Sequence, residues 1–504
     1  GCASPPAATV ETTAPVQTTA ATEAAAETAP VAVAEAPVYT SRFDSETVVT
    51  LSGDGLTVNG GGETDTVYTS HDIVYYEEKT AYESGNPYGA GSETDMHTAE
   101  EAQAHTVVNI TAPGAYRLSG KLSAGQIRID LGEDAASDPD AVVELILDGA
   151  DITCTVAPAI LFRNVYECDG GWNPETAQPT VDTADAGANL ILAENSRSTV
   201  SGSYVAKIYK DAEGEKKLWK QDGAVYSYMS MNVYGPGALG ITAENEGLDS
   251  ALHLTVNGGT VVASANPASD AGLDSDMGSF VNGGTVIALG STMDWAESDS
   301  NQVTMNLQFS QYQSSGSAIV VTKEDGTVIF AYDPSEDEVL GENMRQYMGA
   351  VISCPAFTRG ETYQLWLDGT VTGTETGGVY TSVTAYSGGT QMQYTGTDVG
   401  MGGMGGPRPE GGMPEDSDGQ RPQPGDFTPP DGDTGGQPPE KPDGDASGAP
   451  GDGTPPDGER PPLPEGETMP DRQPPEGGQN AAGEASTGFY MNDMVNAFSG
   501  ITAV

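Results

Sequence analysis

The sequence has 504 residues, with 74 acidic against 20 basic side chains and a formal net charge of −54. This balance excludes a protein that binds nucleic acid or anionic membranes through basic patches. No apolar run approaches the roughly 20 residues that a membrane-spanning helix needs. Charged residues make up only 19% of the chain, so the imbalance comes from scarce lysine and arginine.

The first 45 residues are predicted to be a lipid-attachment site followed by a linker. Gly1-Cys2-Ala3-Ser4 looks like the end of a bacterial lipobox, in which the cysteine becomes lipid-modified. The Ala-, Thr- and Pro-rich composition that follows is too poor in large apolar residues to bury a core. We therefore expect a protein on the bacterial cell surface, at the extracellular face of the plasma membrane and attached to the bilayer only through Cys2. The alternative is an ordinary cysteine.

Residues 46–301 contain an internal repeat. Gly247-Leu-Asp-Ser250 precedes Val256-Asn-Gly-Gly-Thr-Val261, and both motifs recur 25 residues later as Gly272-Leu-Asp-Ser275 and Val281-Asn-Gly-Gly-Thr-Val286. Short β-rich runs separated by Gly, Asn and Asp are typical of strands and turns. A unit of this length with glycine at matched corners favours one coil of a parallel β-helix over a β-sandwich or a propeller.

The remaining sequence divides into three parts. Residues 302–396 alternate β-rich runs with turn signals, which predicts an antiparallel β cap that continues the same domain. Residues 397–485 hold 19 of the 34 prolines and are predicted to be a disordered Gly/Pro/acidic linker. Residues 486–504 space their apolar side chains at helical intervals, which indicates a short helix that could not stand alone.

The repeat also predicts a metal site. Residues one repeat apart lie about 4.8 Å from each other in neighbouring strands, so Asp249 should lie over Asp274. Carboxylates this close repel each other and require a proton or a cation, and an all-oxygen site suits Ca²⁺. The alternative is that each aspartate bonds to backbone amides at its turn. The predicted ligands are Asp222, Glu246, Asp249, Asp270, Asp274 and Asp276.

Catalytic signals are missing from the sequence. Residues 221–322 contain ten acids and neither lysine nor arginine, whereas β-elimination of uronic acids needs a strong base. There is no serine-hydrolase, zinc-protease or phosphate-loop motif. We therefore predict no catalytic residues and a binding function. A calcium-dependent polysaccharide lyase or glycosidase, or a structural adhesin, remains the alternative.

Two further predictions concern aromatic residues and cysteines. Tyr226, Tyr228 and Trp295 are candidates for stacking on sugar rings, and the alternative for them is a place in the core. An exported chain could pair Cys154 with Cys168.

The repeats, together with Asn109–Gly120 and Leu145–Ile152, resemble the carbohydrate-binding domain-containing surface lipoproteins of clostridia and related bacteria. The resemblance covers residues 46–396. It implies a right-handed parallel β-helix related in shape to pectate lyases, which binds Ca²⁺ and acidic plant polysaccharides such as polygalacturonate without established catalysis. This chain departs from the family in having few Gly-Leu-Asp-Ser coils and an insert around Asp72–Ala104.

Overall fold

The computed structural model describes residues 39–76, 97–399 and 484–504, apart from short gaps at 170–176, 179, 206–207, 210–216, 219, 268–269, 292–293 and 342. Cys2 and nearly all of both predicted linkers lie outside these residues. The described part is all-β, and the α-helix that it contains, α1 (Ala99–Gln103), has five residues. Among the described helices, none has the length and apolar character needed to cross a bilayer.

The first part of the fold consists of strands β1 to β21. In chain order their bounds are Glu46–Gly53, Gly55–Val58, Val67–Ser70, Thr106–Ile110, Gly114–Leu122, Gly125–Asp130, Val143–Thr153, Ile160–Asn164, Ala188–Leu192, Arg197–Gly202, Ile208–Tyr209, Lys217–Leu218, Gly223–Ser227, Met231–Tyr234, Ala238–Ala243, Glu246–Ser250, His253–Val256, Thr260–Ser264, Leu273–Ser275, Gly278–Val281 and Thr285–Gly290.

Most of these strands pair in parallel and form three ladders. Ladder A runs through β1, β5, β7, β9, β14, β17 and β20. Ladder B runs through the second half of the long strand β7 and then β10, β15, β18 and β21. Ladder C is a separate sheet of β3, β4, β6, β8, β13, β16 and β19, in which β3 pairs with β4 in the antiparallel direction.

The register of the ladders follows the sequence repeat. Asp249 lies opposite Asp274, and Val256 lies opposite Val281. Both pairs are 25 residues apart, which confirms the predicted stacking of the two repeats.

The three ladders share one hydrophobic core. Leu248 of ladder C, Val256 of ladder A and Val261 of ladder B are all fully buried in the same cluster of side chains. β-Branched and leucine side chains alternate inward along each strand and pack well on a pleated surface. The core therefore fixes the register, because a slip of one residue would turn each inward row outward.

The second part of the fold is the cap, built from strands β22 to β31. Their bounds are Thr304–Gln313, Ile319–Thr322, Val328–Tyr332, Tyr347–Ser353, Thr362–Leu367, Thr370–Thr376, Val379–Ser387, Thr390–Gln393, Phe489–Tyr490 and Val495–Ala503.

The cap is mostly antiparallel, as the sequence predicted. Strand β25 pairs in the antiparallel direction with β22 and also with β21, the last strand of ladder B. The cap has a core of its own, which includes the fully buried residues Phe309, Tyr332 and Phe489. It therefore covers the end of ladder B, which would otherwise present an unpaired edge.

The prediction of a helix in residues 486–504 is wrong. Strand β31 pairs in parallel with β22 and in the antiparallel direction with β29. Its buried side chains include Asn496, Phe498 and Ile501. Two free strand edges and an apolar core stabilise an extended conformation here, and they outweigh a local helical pattern too short to be stable alone.

We predict that Leu248→Ala destabilises the protein by about 2–5 kcal/mol, because it leaves a cavity between the ladders. Urea unfolding should show a lower midpoint. The control Val339→Ala removes an apolar side chain that is 46% exposed in the cap. Equal effects of the two substitutions would contradict the assignment of Leu248 to the core.

Candidate functional site

An acidic cluster of four residues, Asp222, Glu246, Asp249 and Asp274, lies on three neighbouring strands of ladder C. Asp222 precedes β13, Glu246 begins β16, Asp249 lies within β16, and Asp274 lies within β19. Gly223 is in register with Glu246, and Asp249 is in register with Asp274. Parallel pairing therefore brings together carboxyl groups that are up to 52 positions apart in the sequence.

The cluster is compact and mostly inaccessible. One carboxylate oxygen each from Asp222, Glu246 and Asp249 lies within 4.8 Å of the other two. These three residues are only 5–7% exposed, whereas Asp274 is half-buried. Within the described part of the chain, no hydrogen-bond donor reaches Glu246 Oε2. A buried carboxylate oxygen without a donor is costly unless a proton or a cation accompanies it.

Burial and mutual repulsion raise the pKa values of the cluster. Burial raises the pKa of Asp222 from 3.8 to about 6, although Lys220 opposes the change. Burial and then the charge of Asp274 raise the pKa of Glu246 well above its usual value. Burial and then the charges of Asp274 and Asp222 do the same for the pKa of Asp249. The cluster without a cation therefore holds its protons to a higher pH than free carboxylic acids do.

Lys220 is the basic residue that the structure adds to the site. Its Nζ atom forms an ion pair with Asp222 Oδ2, and its side chain is 45% exposed. Burial would lower the pKa of Lys220, but Asp222 and Glu246 together outweigh burial and raise it. Lys220 was not among the predicted site residues, because it lies just before the lysine-free stretch of residues 221–322. Its two-residue spacing from Asp222, at the start of a strand, was the available signal.

The donor set fits a hard divalent cation. All the candidate ligands are carboxylate oxygens, which Ca²⁺ prefers, and one lysine cannot balance four carboxylates. A cation would compete with Lys220 for the charge of Asp222. The half-exposed lysine can turn toward solvent, so the two arrangements are compatible with one backbone.

Asp270 and Asp276, the other two predicted ligands, lie outside the three-carboxylate group. Asp270 is buried, and the amide nitrogen of Asn245 lies 2.6 Å from its Oδ2 when that amide is oriented to donate. Asp276 is exposed after β19, and its backbone nitrogen donates to the carbonyl oxygen of Ser250.

The structure corrects the predicted sugar-stacking role of two aromatic residues. Tyr226 is 2% exposed and Trp295 is 5% exposed, so neither ring presents a face to solvent. Tyr226 packs with Leu161 and edge-to-face against Tyr228, with ring centroids 5.0 Å apart. Tyr228 is half-buried and accepts a hydrogen bond from Gln221. Of Tyr226, Tyr228 and Trp295, Tyr228 is the residue whose side chain is partly exposed to solvent.

A second polar group that the sequence did not reveal lies between ladders A and C. Ser230 Oγ donates to Glu167 Oε1 at 2.9 Å and lies 3.2 Å from His253 Nδ1, whose Nε2 is 2.6 Å from the Gln178 carbonyl oxygen. Ser230, His253 and Glu167 are fully buried. In a catalytic triad the carboxylate orients the histidine, whereas here it binds the serine. This group is therefore a satisfied buried network, and its members are too far apart in sequence to form a motif.

Cys154 and Cys168 are not paired in the structure. Cys154 is buried and Cys168 is half-buried, and both are free, as is the buried Cys354. Burial raises the pKa of Cys154 to about 12, so this thiol stays protonated and unreactive.

Comparison with known proteins gives one consistent description. A family model described as "Carbohydrate-binding domain-containing protein" matches residues 104–308. A curated protein of Acetivibrio thermocellus with the same description is 26% identical over 159 residues, which are 31% of this chain and 45% of that relative. The chain thus spans less than half the length of this relative. No solved structure matches the chain.

We predict that, with a chelator present, the protein becomes less stable as the pH rises from about 4 to about 7. Because the folded pKa of Asp222 is raised from 3.8 to about 6, its stabilising proton is present below pH 4 and is lost as the pH passes 6. Burial and the neighbouring carboxylates also raise the pKa values of Glu246 and Asp249, so their titration lowers the stability in the same direction. The change in the pKa of Asp222 alone lowers the free energy of unfolding by about 3 kcal/mol once the proton is lost.

Melting temperatures of the wild type and of Asp222→Asn across this range measure the effect. The amide mimics the protonated acid, so the variant should show a flatter decline than the wild type. Parallel curves for the two proteins would contradict the assignment to Asp222.

Proposed function

We propose that this chain is a non-catalytic polysaccharide-binding protein of the bacterial cell surface. The observation that carries the proposal is the match to a carbohydrate-binding family over residues 104–308, which include most of ladders A, B and C and the whole acidic cluster. Three parallel ladders around one core support a parallel β-helix, and the resemblance to the lipoprotein family gives it a right-handed coil. Attachment of the protein through Cys2 is part of the same proposal and rests on the sequence.

We further propose that the ligand is an acidic, polyuronate-like glycan and that Ca²⁺ links it to the acidic cluster. A chain with a net charge of −54 repels a polyanion unless a cation lies between the two sets of carboxylates. Asp222, Glu246 and Asp249 would hold the ion from the protein side. Asp274 is half-buried and Lys220 is half-exposed. A uronate group could therefore reach the ion from the side of the cluster where these two residues lie.

The low exposure of the carboxylates favours a binding function over hydrolysis or elimination. A glycosidase needs two carboxyl groups on either side of the scissile bond, and three of the four in the cluster are at most 7% exposed. A lyase needs a base that accepts a proton from the sugar. The acidic neighbours of Lys220 raise its pKa and keep it protonated, which makes it a poor base. Release of unsaturated uronides that absorb ultraviolet light would instead support the lyase alternative.

We predict that the full chain binds polygalacturonate in the presence of Ca²⁺ and loses most of this binding in chelator. Replacing Asp249 and Asp274 by asparagine should weaken retention at least about 10-fold, because two of the four carboxylates of the acidic cluster lose their charge. The control is Glu324→Gln with Glu338→Gln, which removes two exposed charges from the cap. Pull-down and a glycan array, each run with Ca²⁺ and with chelator, are the measurements.

The possible outcomes separate the two levels of the proposal. Retention of polygalacturonate that neither chelator nor the aspartate variant changes would leave a carbohydrate-binding protein but remove the calcium bridge. A chain that binds no glycan on the array under either condition would contradict carbohydrate binding itself and favour a structural adhesin.

We predict that Lys220→Gln binds Ca²⁺ about 10-fold more tightly than the wild type. The substitution removes the ammonium group that competes with the ion for Asp222. Because the lysine side chain is 45% exposed, solvent screens its charge and limits the gain in affinity to about this size. Asp249→Asn should weaken binding instead. Calorimetric titration with Ca²⁺ compares the two variants, and a decrease in affinity for Lys220→Gln would show that the lysine does not compete with the ion.

A further inference from the structure

The segment of residues 484–504 occupies a gap between two strands of the cap. Strand β31 pairs in parallel with β22 on one side and in the antiparallel direction with β29 on the other. Strand β30 adds two further pairs with β26. Removing this segment would leave β22 and β29 with open edges that face each other across an apolar groove.

Side chains of the segment complete the core of the cap. Phe489, Met491, Phe498 and Ile501 are at most 2% exposed. The rings of Phe489 and Phe498 lie 4.9 Å apart, and each lies within 5 Å of the ring of Tyr394. The groove therefore binds the segment through apolar contacts as well as backbone hydrogen bonds.

The segment returns to the place where the preceding chain leaves the cap. Tyr394 and Ser486 exchange two backbone hydrogen bonds of 2.9 Å, and the backbone nitrogen of Gly396 donates to the carbonyl oxygen of Ser499. The described segments that precede and follow residues 400–483 thus lie side by side. The entropic cost of bringing two segments together grows only slowly with the length of the chain between them, so the groove can bind the segment in the intact chain.

From these contacts we infer that the groove between β22 and β29 is a peptide-binding site, and that its ligand is the apolar, strand-forming sequence of residues 484–504. The interactions that hold this ligand are non-covalent: three strand pairings and four buried apolar side chains. The site consequently binds the segment whether or not it remains covalently joined to the cap through residues 400–483. This is the mode of recognition in which a peptide adds a strand to a sheet.

The test uses the full chain with the recognition sequence of a site-specific protease inserted after Gly436. After cleavage, the C-terminal fragment should co-elute with the rest of the protein in size-exclusion chromatography at micromolar concentration. The melting temperature of the cleaved complex should also become dependent on protein concentration, as expected when one fragment is a bound ligand. Complete separation of the fragment under native conditions would overturn the inference.

Displacement by synthetic peptides then locates the binding determinants without altering the folded protein. An excess of labelled peptide 484–504 should replace the fragment in the cleaved wild type. A Phe498→Ala peptide should bind about 100-fold more weakly, because it removes a buried ring. A Tyr490→Ala peptide should match the wild type, since Tyr490 is 51% exposed. Equal displacement by the Phe498→Ala and wild-type peptides would show that the groove does not hold the segment as described.

Discussion

In-register stacking of parallel strands is the constraint on which the rest of this structure depends. Each repeat places its side chains over the equivalent ones of the next repeat, about 4.8 Å away along the hydrogen-bonding direction. Inward rows such as Leu248 and Leu273 gain from this arrangement, because like apolar side chains pack together. In rows that do not face the core, equivalent side chains are stacked in the same way, even where they carry like charges, as Asp249 and Asp274 do.

The acidic cluster is the consequence of that constraint. Asp249 cannot move away from Asp274 without breaking the register that the core imposes. The protein therefore accommodates the repulsion in other ways: raised pKa values, the ion pair of Lys220 with Asp222, and a set of oxygen ligands suited to a cation. Protonation of this cluster links pH to stability, and the Ca²⁺ that we propose would act in the same way, since each proton or ion removes repulsion from the folded state.

The cap determines how the stack of parallel strands ends. Strand β25 pairs with β21, and the edges within the cap are in turn paired by a segment that arrives from far along the sequence. The Pro-rich residues 400–483 therefore connect two described segments of one cap, and the bridge between Tyr394 and Ser486 joins these two segments.

The amino-acid sequence by itself determined the all-β class, the stacking of the two 25-residue repeats and the pairing of Asp249 with Asp274, because these features follow from local periodicity. It also determined the antiparallel nature of residues 302–396 from their turn signals. Only the tertiary structure decided the burial of Tyr226 and Trp295, the approach of Lys220 to Asp222, and the strand formed by residues 495–503. These features depend on contacts between distant segments, which supply the burial, the opposite charge and the free strand edges that no local pattern contains.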